Sequence, residues 1–213
     1  LAGTDVEERL VSKYVYMFSE GNQTMKDLLG GKGANLGEMT NMGIPVPPGF
    51  TVTTEACQYY LTHGRVPDEL SAQVGAAIAN TEELTGKGFG DPKNPLLLSV
   101  RSGAKFSMPG MMNTVLNIGL NDDTVGSLIE AAGERFAWDS YRRLIHMFGD
   151  TVLMVPDELF EHVMDEEKAA KGTTSDLDLD AEDLKRITYR YKDIVKENTG
   201  EAFPDDPRTQ VDM

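Results

Sequence analysis

The sequence predicts a mixed α/β region over residues 13–119, followed by a mainly helical region over residues 120–204. Short runs rich in β-branched, aromatic or aliphatic residues, typical of strands, all fall in the first region, at 14–18, 50–53 and 96–100. After Gly119, apolar residues recur instead with the spacing of helices. Residues 205–213 are predicted to be the start of a further segment that is cut short.

In the first region the sequence predicts three helices: one after each of the first two strands, and a third before the apolar run at 96–100. One begins near Lys32, with Gly30 and Gly31 at its head, and ends at Gly43. Thr54 is predicted to cap a helix over 55–62. The next helix, over 67–85, carries an apolar stripe that predicts core positions: Leu70, Val74, Ile78 and Leu84.

The second region is predicted to contain helices at 122–131, 134–148, 156–171 and 181–198. On the second of these helices one face carries Trp138, Tyr141, Ile145 and Phe148, which indicates packing. Asp180 precedes the last helix as a predicted N-cap. A turn with two prolines is predicted over 203–207.

Two loops carry residues suited to binding phosphate. The apolar run 96–100 predicts a buried strand, and Arg101, Ser102, Gly103 and Lys105 follow it. An arginine can bind two phosphate oxygens at once, and a lysine next to glycines at a helix start, such as Lys32, also attracts anions. From these residue types alone, an ordinary charged surface turn is an equally good interpretation.

Composition limits the possible partners. With 35 acidic and 20 basic residues the net charge is −15, which argues against nucleic-acid or anionic-membrane binding. The single cysteine, Cys57, excludes an intrachain disulfide and is expected to be a small buried side chain. The three histidines lack metal-ligand spacing, and neither a membrane-length apolar run nor a secretory signal is present, which favours a cytoplasmic location.

Five stretches resemble the N-terminal nucleotide-binding domain of the pyruvate, phosphate dikinase family. They are LLGGKGANLGEM (28–39), GIPVPPGFTVTTEAC (43–57), SVRSGAKFSMPGMMNTVLNIGLND (99–122), FAWDSYRRLIHMFGDTV (136–152) and EAFPDDPRTQ (201–210). Phosphoenolpyruvate synthases share the first two, but their arginine loop typically reads RSSA and lacks SMPGMM. The resemblance therefore favours the phosphate-using branch.

The resemblance implies an ATP-grasp-like fold, present here only in part, in an enzyme that converts ATP, phosphate and pyruvate into AMP, pyrophosphate and phosphoenolpyruvate. It assigns catalytic, ATP-phosphate-binding roles to Lys32 and Arg101, and places Gly110 and Met112 in a loop over the terminal phosphates. Lys105 stands at a position that varies in the family. The resemblance also implies Mg²⁺ as a cofactor and a homodimeric full-length enzyme.

Several parts of such an enzyme are missing from the sequence. The metal-binding carboxylates, the phosphorylatable histidine of a swivelling domain and the pyruvate site are expected downstream, so this chain alone is expected to be inactive. Two alternatives stay open: a phosphoenolpyruvate synthase-like dikinase, and a stand-alone nucleotide- or phosphate-binding regulatory module. A plastid or other organelle is not excluded as the location.

Overall fold

A computed structural model describes residues 12–102 and 114–213, which form two compact units. Of the described residues, the first unit contains 12–84 and the second contains 85–102 and 114–213. Small sheets and many helices confirm the predicted mixed α/β class. The units divide at 84/85, whereas the domain boundaries predicted from composition, at 119/120 and 204/205, remain predictions.

The first unit is built on a two-stranded antiparallel sheet. Strand β1 (Val15–Met17) pairs with β2 (Phe50–Val52), with Tyr16 opposite Thr51. The helices of this unit are α1 (Lys26–Asn41), α2 (Thr54–His63) and α3 (Leu70–Thr85). Helix α2 is capped by Thr53, one residue before the predicted cap, because the Thr53 hydroxyl accepts from the Ala56 N–H at 3.4 Å.

Two burial predictions in the first unit are wrong. Cys57 is exposed, since α2 is short and the only side chain that it buries is that of Ala56. Leu84, in the last turn of α3, is 63% exposed, because the buried residues of this helix, Ala77, Ile78 and Thr81, all lie before that turn. Of the predicted stripe, Ile78 is fully buried.

The second unit joins a β-hairpin to a group of helices. Strand β3 (Leu98–Arg101) pairs antiparallel with β4 (Thr114–Ile118), a strand that the sequence did not predict. The helices of this unit are α4 (Val125–Ala132), α5 (Glu134–Thr151), α6 (Asp157–Lys171), α7 (Ala181–Thr199) and α8 (Pro207–Asp212).

The core of the second unit lies between α5, α6, α7 and the hairpin. The predicted face of α5 is confirmed, since Trp138, Tyr141, Ile145 and Phe148 are all at most 7% exposed. Strand β4 contributes Val115 and Ile118 to the same core. At the far end of the chain the ring of Phe203 packs edge-on against that of Phe148, with 5.5 Å between centroids. The chain after α7 is therefore part of the core.

Helix ends in the second unit follow from local sequence. Asp180 caps α7 as predicted, accepting from the N–H groups of Glu182 and Asp183. Helix α8, which the sequence analysis missed, is capped by Asp206, whose carboxylate accepts from Thr209 N at 2.8 Å. Pro207 occupies its first turn, where a missing N–H costs nothing. None of the helices in the described ranges combines the length and apolarity needed to cross a membrane.

Candidate functional site

Lys32 lies just after a break in α1. Gly30, with φ 68° and ψ 168°, interrupts the helix, and this positive φ favours glycine over residues with a Cβ. Gly31 and the half-buried Lys32 thus stand in the first turn of the longer helical segment. Backbone N–H groups and the helix dipole favour anions there. Helix α1 thus begins earlier than predicted, at Lys26, and the glycines mark a break within it just before Lys32.

The segment before the break is fixed to the start of α2. The Thr54 hydroxyl donates to the Asp27 carbonyl oxygen at 2.6 Å. Leu29 and Ala34, on either side of Gly30, are buried. Lys32 is consequently carried by a helix that is packed on both sides of the glycine.

Arg101 is the last residue of β3. It lies opposite Thr114 of β4, and its side chain is exposed. The prediction that the run 96–100 is a buried strand is wrong for its second half, because Ser99 and Val100 are exposed. In its first half, Leu96 is buried and Leu97 and Leu98 are partly buried against the core. Strand β3 pairs with β4 in a sheet of two strands. Its outer half therefore presents polar and charged groups at the surface of this unit.

The base of the hairpin is held by the C-terminal helix. Gln210, 3% exposed, accepts from Gly119 N at 2.8 Å and donates to Leu120 O at 3.3 Å and Pro204 O at 2.8 Å. Gly119 has φ +100°, and a Cβ there would lie 2.9 Å from the Phe89 ring and 3.0 Å from Leu96 O. The chain thus turns sharply where β4 ends, and Gln210 satisfies the backbone at that turn.

A charged cluster fixes the segment that leads into α8. Lys192 Nζ lies 3.0 Å from Asp122 Oδ2 and 2.9 Å from Asp205 Oδ1. The Tyr141 hydroxyl lies 3.1 Å from Asp122 Oδ1 and 3.3 Å from Asp205 Oδ1. Burial, and then the two neighbouring carboxylates, raise the pKa of Tyr141, so its hydroxyl stays protonated and donates. Asn121 Nδ2 adds a bond to the Asp205 carbonyl at 2.8 Å.

The predicted site residues are divided between the units. Lys32 lies in the first unit and Arg101 in the second. Lys105, Gly110 and Met112, together with Gly103, lie outside the described residues. The functional roles assigned to all of these residues remain predictions.

Sequence reasoning did not single out Gln210 or Asn121. The signal for the helix that carries Gln210 is Asp206-Pro207, an N-cap residue followed by a proline suited to the first helical position. Nothing local to Gln210 indicates that its side chain bonds backbone about 90 residues earlier.

Comparison with known families gives the class of protein that the sequence of the first unit resembles. Residues 26–84, which include Lys32, match the family model described as "Pyruvate phosphate dikinase, AMP/ATP-binding domain". This stretch is therefore similar to an AMP/ATP-binding domain.

Individual relatives define the family more narrowly. The chain is 54% identical over 195 residues to pyruvate, phosphate dikinase 2 of Oryza sativa subsp. japonica, which covers 92% of this chain and 22% of that protein. It is 52% identical over 204 residues to the pyruvate, phosphate dikinase of Clostridium symbiosum, and the match covers 94% of this chain and 23% of that protein. It is 53% identical over 196 residues to the chloroplastic pyruvate, phosphate dikinase 1 of Zea mays, and the match covers 92% of this chain and 21% of that protein. The predicted resemblance to the pyruvate, phosphate dikinase family is thus confirmed.

The chain spans about a fifth of the length of the curated relatives that it matches. The aligned part extends over more than nine-tenths of the chain and so includes both compact units. The match to the family model, over residues 26–84, lies entirely within the first unit.

Proposed function

We propose that the chain forms the nucleotide-binding part of a pyruvate, phosphate dikinase that carries out its reaction as a longer protein. The supporting observation is identity above 50% over more than 90% of the chain. In this reaction ATP, phosphate and pyruvate give AMP, pyrophosphate and phosphoenolpyruvate, and a histidine on a separate swivelling domain carries the phosphoryl group. The proposed fold of this part is one portion of an ATP-grasp-like fold, and the proposed assembly of the longer protein is a homodimer.

In this proposal Lys32 and Arg101 bind the phosphates of ATP. Phosphoryl transfer depends mainly on positioning and on neutralising charge, and an ammonium, a guanidinium and backbone N–H groups supply both. The exposed Arg101 can form two parallel hydrogen bonds to phosphate oxygens. Gly110, Met112 and the neighbouring Lys105 complete the proposed loop over the terminal phosphates.

The family also implies Mg²⁺, but the residues described here do not provide its ligands. Within 12–102 and 114–213, no group of three or more His, Cys, Asp or Glu side chains is arranged to bind a metal ion. We therefore assign none of the described residues to Mg²⁺. Its ligands are proposed to lie in another part of the longer protein.

The proposal is tested on the complete protein with an Arg101→Ala variant. We expect AMP formation that depends on both phosphate and pyruvate to fall at least about 100-fold, because a charged donor to the transferring phosphate is removed. The melting temperature should change little, because the Arg101 side chain is exposed. Near-normal turnover of the variant would refute the role of Arg101.

A matched control is Arg143→Ala. Arg143 is 56% exposed, lies in the same unit and pairs with Asp139 at 2.9 Å, so its loss should leave turnover within about twofold. Omitting phosphate tests the other branch. AMP formation from ATP and pyruvate without added phosphate would indicate a phosphoenolpyruvate synthase-like reaction instead.

A further inference from the structure

We propose that Gln210 is a positioning residue for Arg101: it fixes the base of the β3–β4 hairpin and thereby the place where the guanidinium meets the nucleotide phosphates. This inference rests on the proposed function, since it takes Arg101 as a phosphate ligand. No feature of the local sequence around Gln210 suggests it, because the role follows from contacts between distant parts of the chain.

The Gln210 amide forms three hydrogen bonds to the backbone, two of them at the end of β4. Its oxygen accepts from Gly119 N, and its nitrogen donates to Leu120 O and to Pro204 O. Gly119 and Leu120 follow directly after the last residue of β4. The side chain therefore takes the place of a neighbouring strand at the position where β4 ends.

Gln210 can act in this way only if its own segment is fixed, and residues 203–210 are held at several points. The Phe203 ring packs on Phe148. Asp205 is bonded through its carboxylate by Lys192 and through its carbonyl by Asn121. Asp206 caps the helix that carries Gln210. These contacts connect the segment to α5, α7 and the chain just before α4, so the amide is presented from the core of the unit.

The outer half of β3 is held through its pairing with β4. Leu98 pairs with Ile118 at the base, next to Gly119, whereas Arg101 pairs with Thr114 at the opposite end. On β4, Val115 and Ile118 are 5% and 2% exposed and lie in the core. On β3, Ser99, Val100 and Arg101 are exposed. Since the outer half of β3 buries no side chain of its own, the place of Arg101 depends on how β4 is held, by Val115 and Ile118 in the core and by Gln210 at its end. Displacements of about 1 Å in a phosphate-binding group can cost about 100-fold in rate.

The test measures the dissociation constant of ATP for the complete protein in four forms: wild type, Gln210→Met, Arg101→Ala and the double variant. Methionine keeps the length and apolar packing of glutamine but forms none of the three hydrogen bonds. We expect Gln210→Met to weaken ATP binding about tenfold in the wild-type background. In the Arg101→Ala background it should weaken binding less than about twofold, because the group that it positions is already gone.

A second assay and a control separate positioning from loss of stability. The half-reaction between pyruvate and the phosphorylated protein should keep its KM for pyruvate in Gln210→Met, because the nucleotide is not involved. Tyr191→Phe removes a buried hydrogen bond to Phe160 O of 3.0 Å in the same unit. It should lower the melting temperature of the protein while leaving ATP affinity within about twofold.

The outcomes distinguish the two proposals. If Arg101→Ala binds ATP like the wild type, the proposed role of Arg101 fails. If Arg101→Ala weakens binding and Gln210→Met adds its full effect in the double variant, or acts no more strongly than Tyr191→Phe, the positioning role is overturned. Should Gln210→Met not fold, Gln210→Glu serves instead, because its carboxylate still accepts from Gly119 N. Unchanged ATP affinity in that variant, with a lowered melting temperature, would equally overturn the inference.

Discussion

Arg101 and Lys32 offer two different ways of binding a phosphate group. A guanidinium is a planar fork that forms parallel bonds to two oxygens, whereas an ammonium is a compact point charge. Arg101 ends a strand whose outer half is exposed, and Lys32 stands in a helical turn behind a glycine break. We therefore expect the arginine position to be sensitive to geometry as well as to charge.

Arg101→Lys tests that distinction in the complete protein. We expect turnover to fall at least about tenfold, since lysine keeps the charge but cannot form the two parallel bonds. The measurement is kcat and KM for ATP beside those of Arg101→Ala, which sets the value for complete loss of the side chain. Activity equal to the wild type would mean that charge alone is required at this position.

At this scale the sequence predicts the identity of the candidate residues and little of their surroundings. Arg101 and Lys32 were found from glycines, charges and family motifs, whereas the start of α1 at Lys26 was not predicted. The exposed state of β3 was not predictable, because an apolar run does not reveal how many strands will cover it. Gln210 was not predictable because two of its three bonding partners, Gly119 and Leu120, are about 90 residues away.

The junction of α6 and α7 depends on one carboxylate. Asp183 has a side chain that is 11% exposed and accepts from Lys171, Arg186 and the Asp180 N–H. Burial by itself would raise the pKa of Asp183, but the hydrogen bonds from Lys171, Asp180 N–H and Arg186 outweigh it and lower the pKa to about 2. Because this pKa is lowered in the folded protein, the ionised carboxylate stabilises the folded state at pH values above 3.8, the ordinary pKa. This contribution is lost as the pH falls toward 2.

Asp183→Asn should therefore destabilise the chain at neutral pH and matter progressively less in acid. We expect a loss on the order of 1 kcal/mol at pH 6, because solvent screens the surface partners Lys171 and Arg186. The difference from wild type should shrink between about pH 4 and pH 2. Urea unfolding followed by circular dichroism at several pH values measures it.

Asp193→Asn is the control for this experiment, because Asp193 is exposed on the same helix. That variant should track the wild type across the whole pH range. A difference for Asp183→Asn that stays constant from pH 6 to pH 2 would contradict the assigned electrostatic role and indicate a loss of helix capping alone.

The elements that the sequence predicted well are those with strong internal signals. Helix α5 was found from its aromatic stripe and α7 from its cap, Asp180. Strand β4 and helix α8 were missed, since each is short and owes its stability to contacts with the rest of the unit. Local patterns therefore identified the long helices, and tertiary contacts decided the short elements.

Over the whole molecule, composition and contacts suggest different divisions of the chain. Composition turns helical after Gly119 and so predicted a boundary at 119/120. In the second unit, however, Val115 and Ile118 of β4 lie in the same core as α5, α6 and α7, at 5% and 2% exposure. A cut at 119/120 would remove both side chains from that core, whereas a cut at 84/85 would keep them.

Two fragments of the chain distinguish these divisions. We expect fragment 85–213 to unfold cooperatively at a higher temperature than fragment 120–213. Burying a valine or isoleucine contributes about 1.5–3 kcal/mol each, so losing Val115 and Ile118 should cost at least about 3 kcal/mol. For fragments of about 100 residues this corresponds to a melting temperature lower by more than about 10 °C.

Thermal unfolding followed by circular dichroism and by Trp138 fluorescence measures both fragments. Trp138 belongs to the shared core and is present in each, so it reports on the same packing in both. Equal melting temperatures would show that the helices fold without the hairpin, and the boundary predicted from composition would then be the physical one. A markedly less stable 120–213 would mean that the hairpin carrying Arg101 folds as one cooperative body with the helices. The arginine would then be held by the same core that Gln210 connects to the end of β4.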